Sequence, residues 1–538
     1  MQQELLLGEL TRQGLTIYPS RPALFWRDQE LTYLGLNGFI DMVAAGFIRQ
    51  GVQRGDRVAL YTHNLPHFIQ AYYALARLGA IAVPINIHWK GQDLKYLLET
   101  VGVVGVVTIV PLFQRVQELR RSLPSLKWVV AITAGGPQPP NSISWEELIG
   151  DTLAPPVETR DIEGFDPALI AYSAGMSGPP KPAVLSHFNL LANCEQIEDM
   201  SGVTLCPPTT TDPRTGLEIA TNNFEVSLLP LPLTDLFCLN TGLNLTLKLG
   251  GTAVLMERFE PDQALDLIER HKCTLIFGSP AIFSALVASP RFVEANLGSL
   301  KYAFCFGGPL PEEIHRAFYD RTGKLVFMAY GAVEASPVIS CSAAGPRVDP
   351  LGAGYPLGVM QVQTVARGGN VQAPGQPGFL VAQGPNIMLG YFDPNNPDGP
   401  VTPLQNGVFN TGDIAQFAQD GSFYIIERRE DLVVVQGQAV YPRQIESVLL
   451  SHPAVKEAAA LALRDEYGGS TLVAFMVPQT MPPGATESEL MLHCRKNLPA
   501  YACPTRIYLY EDGPELPRLP DGRIWRRPLR EQAATMPK

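Results

Sequence analysis

Short apolar runs alternate with segments of helical spacing, and this rhythm restricts the chain to few architectures. Residues 39–51 have helical periodicity. Arg57–Tyr61 then reads as a strand, 66–78 as a helix, 80–84 as a strand and 93–101 as a helix. The pattern resumes with a strand at 253–256, a helix at Pro261–His271 and a strand at 274–278. Strands alternating with helices and punctuated by Gly and Pro predict an α/β fold, with mainly parallel sheets flanked by helices. The longest apolar stretch, 101–113, reads as a buried strand and is too short to cross a bilayer.

The end of the chain follows a different plan. A turn and strand at 420–426 lead into the charged run Glu427-Arg-Arg-Glu-Asp431, and a strand follows at 432–435. Beyond lie a helix (Pro442–Leu450), strands (458–462 and 471–477) and a helix (487–498), enough for a small α+β domain of roughly a hundred residues. We place the boundary in the charged run, giving a large N-terminal domain at 1–429 and a small mobile C-terminal domain at 430–538. Two stretches rich in Pro, Thr, Asn and Asp, 206–223 and 393–406, read as surface loops.

Composition narrows the function. Over 538 residues the formal net charge is −11, the opposite of the basic footprint that nucleic-acid binding requires. None of the eight cysteines lies in a C-x-x-C pair, and the eight histidines form no H-E-x-x-H array. Reduced core thiols and the absence of a dedicated zinc site are therefore expected. The N-terminus lacks the basic start and apolar run of a signal peptide. A soluble cytoplasmic protein without a transmembrane segment is the expectation.

The segment with the most chemical content is Tyr172-Ser-Ala-Gly-Met-Ser-Gly-Pro-Pro-Lys-Pro-Ala-Val-Leu-Ser-His187, which follows an apolar strand. Gly175 and Gly178 permit close backbone approach, Ser177 supplies a hydroxyl, and Lys181 supplies a positive charge. Such a loop can cradle polyphosphate through backbone N–H groups. It matches neither the Walker pattern nor the G-x-S-x-G elbow. On composition alone, a plain surface turn remains the alternative.

This loop resembles the phosphate loop of the adenylate-forming superfamily, which comprises AMP-binding acyl-CoA synthetases such as fatty-acid–CoA ligases, peptide-synthetase adenylation domains and firefly luciferase. Further motifs follow in that family's order, and the resemblance covers nearly the whole chain. Phe306-Gly307-Gly308-Pro309-Leu310 resembles the loop that lies along adenine. Tyr330-Gly331-Ala-Val-Glu334 resembles Y-G-x-T-E, which implies an aromatic face for the purine and a carboxylate for Mg²⁺. Asn410-Thr-Gly-Asp413 resembles the T-G-D that accepts hydrogen bonds from the ribose hydroxyls. Arg428 and Asp431 fall on the ribose-contacting arginine and the hinge aspartate of G-R-x-x-D. The C-terminal run from Leu516 to Arg526 resembles P-x-T-x-x-G-K-x-x-R, with Arg523 at the lysine position.

The resemblance implies nucleotide binding by Ser177, Gly178, Lys181, Gly307, Gly308, Pro309, Tyr330, Gly331, Asp413 and Arg428. It implies catalytic roles for Arg523, Lys181 and Glu334, with Glu334 also on the metal. The implied reaction is activation of a carboxylic acid by ATP and Mg²⁺ as acyl-AMP, then transfer to coenzyme A or to a carrier-protein pantetheine. An apolar lining expected near 229–240, 274–281 and 303–308 suits an aliphatic or aromatic acid. Assembly as a homodimer is left open.

The sequence also departs from the pattern. Ala174 and Met176 stand at hydroxyl positions of the loop, Pro182 at a glycine, Val333 at the threonine of Y-G-x-T-E, Glu427 at a glycine, Leu233 at a frequent histidine and Arg523 at the lysine. A hydrogen bond to a charged group is worth about 1.5–3 kcal/mol, so three absent hydroxyls could weaken phosphate stabilisation by roughly 4–9 kcal/mol if nothing replaced them. Three readings stay open: a working ligase, an enzyme of one half-reaction, and a homologue that binds nucleotide or acyl ligand without turnover.

Overall fold

Side-chain caps start several helices at the residues where the sequence changes character. The Thr32 hydroxyl accepts the N–H of Gly35 and opens the helix Tyr33–Arg49. Ser186 and Asn189 form a reciprocal capping box at the head of His187–Glu198. Ser279 caps Pro280–Ala288, whose proline occupies the first turn, where no N–H is needed.

The structure, a computed structural model, describes residues 6–536 except 134, 151–153, 160, 174–179, 201–208, 212–217, 221–223, 367, 397–400, 429–432, 436–437, 441, 465–469, 481–483 and 519–523. The chain groups into two units. One is built from the chain up to Ser173, Lys181–Val362 and Ala382–Phe409, and the other from Gln363–Val381 and the chain from Asn410 onward.

Among the described residues the first unit holds two nine-stranded sheets. One runs in the order Tyr355–Pro356, Val338–Cys341, Val326–Gly331, Tyr302–Phe306, Leu275–Gly278, Val226–Leu229, Thr252–Leu255, Pro22–Trp26, Gln29–Thr32. Its central pairings are parallel and its edges antiparallel. The other centres on Pro167–Tyr172, Ile81–Pro84, Arg57–Tyr61, Gly105–Ile109 and Trp128–Ile132, again parallel. The antiparallel strands Pro182–Ser186, Gly390–Phe392 and Val401–Pro403 complete one edge. Strands in the middle of such a sheet are buried along their whole length and mostly apolar, as in Gly105–Ile109, where Thr108 is the polar residue and donates its hydroxyl to Tyr61 O. A single apolar core joins both sheets to helices Tyr33–Arg49 and Pro66–Arg77.

The second unit carries a four-stranded sheet with Phe409–Phe417 beside Phe423–Arg428, and a three-stranded sheet of Val455–Arg464, Ser470–Pro478 and Arg506–Leu509. Strand alternation divides the three-stranded sheet's side chains between two cores. Leu472, Ala474 and Met476 meet Ile445, Leu449, Leu490 and Cys494 on one face. Val473, Phe475 and Val477 meet Leu529 and Ala533 on the other.

The α/β expectation and the separate small α+β portion both appear in this architecture. Several local expectations change. Residues 101–113 are not one strand: Gly105–Ile109 is the strand, and a helix, Val110–Leu119, begins at once with a proline in its first turn. The stretch 206–223 contains the paired strands Thr209–Thr211 and Glu218–Ala220. The stretch 393–406 contains the edge strand Val401–Pro403. Past residue 498 lie a strand, Arg506–Leu509, and a helix, Arg526–Thr535, that the sequence reading lacked. The seven described cysteines are free and six are buried, because apolar surroundings suit a thiol. Among the described residues no helix is long and apolar enough to cross a membrane.

Candidate functional site

In an open α/β sheet the carboxyl ends of parallel strands expose backbone and loops to ligand. Two of the predicted segments sit there side by side. Tyr302–Phe306 pairs in parallel with Val326–Gly331, Phe306 opposite Ala329. The first strand runs out into Gly307, Gly308 and Pro309, and the second ends on Tyr330 and Gly331. Gly307 has φ 90°, which a side chain would strain. At Gly331 a Cβ would lie 1.9 Å from the Pro337 carbonyl oxygen, so only glycine fits.

That close approach closes a compact turn. The Ala332 N–H donates to the Pro337 carbonyl at 2.9 Å, and a 3-10 turn, Val333–Ala335, carries Glu334 between them. Glu334 is buried, and its Oε1 accepts the Tyr391 hydroxyl at 2.8 Å. Its carbonyl accepts the Met388 N–H at 2.8 Å. Tyr391 lies on Gly390–Phe392, which pairs antiparallel with Pro182–Ser186, Tyr391 opposite Ala183. Lys181 immediately precedes Pro182–Ser186, and its Nζ lies 5.4 Å from the Tyr391 ring centroid. The Lys181 N–H donates to Ser173 Oγ at 3.0 Å, and the Ser173 N–H donates to the Lys181 carbonyl at 2.9 Å. Both ends of the phosphate-type loop are thereby fixed.

Buried amides support the Glu334 turn from behind. Asn386 Nδ2 donates to the carbonyls of Ala335 at 2.7 Å and Val338 at 2.9 Å. Asn240 Nδ2 donates to Ser336 O at 2.6 Å and Leu190 O at 3.0 Å. Asn193 accepts the Val338 N–H at 3.1 Å and returns a bond to its carbonyl at 2.9 Å. All three asparagines are fully buried. Asn240 belongs to a π-helical segment, Phe237–Asn244, a geometry frequent at functional sites.

The same segment borders an apolar wall. The Phe237 ring lies 4.5 Å from Phe306, which stacks with Phe277 at 6.1 Å. Leu233 is fully buried, its N–H held by Asn64 Oδ1 at 2.6 Å. Asp235 uses Oδ1 to accept the Phe237 N–H at 2.8 Å.

In the second unit, Asp413 is buried on Phe409–Phe417, directly opposite Arg428 on Phe423–Arg428. Its N–H donates to Thr411 Oγ1 at 3.1 Å, and that hydroxyl donates to Leu380 O at 3.1 Å. Gly412, with φ 78°, provides the bend. Arg526, close to Arg523 in sequence, pairs with Glu446 at 2.7 Å. Ser177, Gly178, Asp431 and Arg523 lie outside the described residues.

Residues 12–392 match the family model described as AMP-binding enzyme, and residues 444–522 match that of the AMP-binding enzyme C-terminal domain. The chain belongs to the AMP-binding enzyme family. A long-chain-fatty-acid–CoA ligase of Bacillus subtilis (strain 168) is 28% identical, covering 96% of this chain and 92% of its own. A feruloyl-CoA synthase of Amycolatopsis sp is also 28% identical, covering 98% and 99%. Among solved structures, o-succinylbenzoate CoA synthetase (MenE) from Bacillus subtilis in complex with its acyl-adenylate intermediate OSB-AMP superposes with a TM-score of 0.78 at 25% identity, covering 98% of each chain. The same protein with ATP and magnesium ion gives 0.75 at 25% identity, covering 96% and 98%.

For this AMP-binding enzyme the structure gathers Lys181 and Glu334 around Tyr391, beside Tyr330, Gly331 and the 307–309 loop. It sets Asp413 and Arg428 opposite each other on a separate sheet. Tyr391 and the three asparagines were missed by the sequence reading. An aromatic residue two before Asp393 carries no signal by itself, and buried Asn is not distinguishable from surface Asn in one sequence. Among the described residues, no group of three or more His, Cys, Asp or Glu could hold a metal. A single carboxylate fits an ion such as Mg²⁺, which keeps several waters and shares ligands with substrate phosphates.

Proposed function

We propose that the chain is an AMP-forming acid–CoA ligase. It joins a carboxylic acid to the α-phosphate of ATP, releasing pyrophosphate, and then passes the acyl group to the thiol of coenzyme A, releasing AMP. The observation that carries this reading is the convergence of Lys181 and Glu334 on Tyr391 next to Tyr330 and Gly331. Relatives named as CoA ligases and synthases support it.

Each residue has a role in positioning or charge stabilisation, which is most of what phosphoryl-type chemistry asks of a protein. The Tyr330 ring offers a face to the purine, with Gly307, Gly308, Pro309 and Gly331 leaving room along it. Asp413 accepts from the ribose diol, with Arg428 alongside. The loop of Ser177, Gly178 and Lys181 holds the phosphates. Glu334 holds Mg²⁺, which neutralises phosphate charge when bound. Arg523 places a guanidinium where the acyl carboxylate and α-phosphate meet. Asp431 serves as the hinge between domains at 1–429 and 430–538. The Phe237, Phe277 and Phe306 wall favours an aliphatic or aromatic acid over an amino acid, since Asp235 is committed to its own helix end.

Pyrophosphate release measured with a panel of aliphatic and aromatic acids tests the reading. Release that depends on acid, ATP and Mg²⁺, followed by AMP and acyl-CoA formation, is the expected result. Thermal stabilisation by ATP or acid with no release would replace it with the binding-only reading. That second reading is favoured by Val333 and Arg523 at positions where the family pattern has threonine and lysine.

A further inference from the structure

Lys181 and Glu334 are opposite charges that approach the same side chain, yet they form no ion pair with each other. Tyr391 meets both, through different parts of its ring system. Its hydroxyl donates to Glu334 Oε1 at 2.8 Å, and its π face lies 5.4 Å from the Lys181 ammonium. A direct pair would satisfy both charges internally and compete with an incoming metal–phosphate group. A phenol between them avoids that collapse. It fixes one carboxylate oxygen and leaves the other for a ligand, and it gives the ammonium a weak seat from which phosphate can draw it. The strand register sustains the arrangement, because Tyr391 opposite Ala183 is held beside Lys181 by backbone hydrogen bonds.

We propose that Tyr391 is a positioning residue that keeps Glu334 and Lys181 apart and oriented for a metal–triphosphate ligand. This rests on the nucleotide reading of the same site. The hydroxyl acts through Glu334 and the ring acts through Lys181, so the two parts are separable.

Calorimetric titration with ATP, once with Mg²⁺ and once with EDTA, tests it on the full chain. In Tyr391→Phe the ring stays, so affinity for metal-free ATP stays within about twofold while the gain on adding Mg²⁺ falls about tenfold, the scale of one hydrogen bond to a charged group. In Tyr391→Leu the metal-free affinity falls as well. In a Glu334→Gln background, Tyr391→Phe changes the Mg²⁺ gain by less than about twofold, because its route of action is gone. Melting of each ligand-free variant separates these effects from loss of fold. A Tyr391→Phe protein with the full wild-type Mg²⁺ gain overturns the proposal, as do effects of the two substitutions that simply multiply. A wild-type protein with no Mg²⁺-dependent ATP binding overturns both this proposal and the nucleotide reading, whereas a wild-type gain unchanged in the variant overturns this proposal alone.

Discussion

His187, at the end of the phosphate-type loop, is fully buried, and its Nδ1 accepts the Leu7 N–H at 3.3 Å. Desolvation pushes its pKa from 6.5 down to about 4, against a smaller opposing pull from Asp166. The unfolded chain therefore takes up a proton near pH 6.5 while the folded chain resists until about pH 4. The stability held above pH 6.5 is lost as pH falls through that window, by about 3 kcal/mol at most. His187→Asn keeps an acceptor for Leu7 and cannot titrate. Urea midpoints at pH 7 and pH 5 should converge in this variant relative to wild type; an unchanged gap would mean other groups set the acid sensitivity. The position of His187 was legible in the loop's frame, but its task as a neutral buried acceptor was not, because Leu7 is far away in sequence. The same distance hid Arg77, fully buried against Asp41 at 2.6 Å, and Tyr391, whose hydroxyl partner Glu334 comes from another strand's end.

At the scale of elements, the turn Val333–Ala335 depends on amides that the sequence motif does not include. Asn386 supplies two of its bonds, to Ala335 O and Val338 O, in a fully buried setting. Each buried carbonyl left without a donor costs about 1–3 kcal/mol. Val338 O keeps its bond from Asn193 at 2.9 Å, so Ala335 O alone is left without a donor, and Asn386→Ala should lower unfolding free energy by about 1–3 kcal/mol in urea titration. It should also raise the Mg·ATP concentration needed for half-maximal pyrophosphate release, since Glu334 loses its backing. A loss below about 0.5 kcal/mol would show that water replaces the amide. Periodicity made Pro66–Arg77, Pro261–His271 and Pro442–Leu450 legible, because an apolar face repeats with helical period in each. It failed for Arg526–Thr535, where Leu529 and Ala533 are the buried apolar contacts among charged neighbours. Two well-placed side chains suffice to cover a sheet face, but they give too weak a period to read.

At the scale of the molecule, each unit has a core of its own. Phe68 lies in the core that joins the two large sheets, and Phe475 lies in the core beneath Arg526–Thr535; neither is exposed. Truncating a buried Phe to Ala costs about 3–5 kcal/mol through lost burial and the cavity left behind. If each core supports its own cooperative transition, the cost appears only in the transition of the unit that bears the change. Phe475→Ala should then lower one calorimetric transition and leave the other in place, and Phe68→Ala should do the reverse. Mg·ATP provides an independent assignment. A ligand raises the melting of the unit it contacts by mass action, and Glu334 and Lys181 belong to the unit that contains Phe68. The transition lowered by Phe68→Ala should therefore be among those raised by Mg·ATP. One common transition, shifted alike by both substitutions, would show instead that the two cores unfold together and that the grouping of residues does not divide the chain's stability.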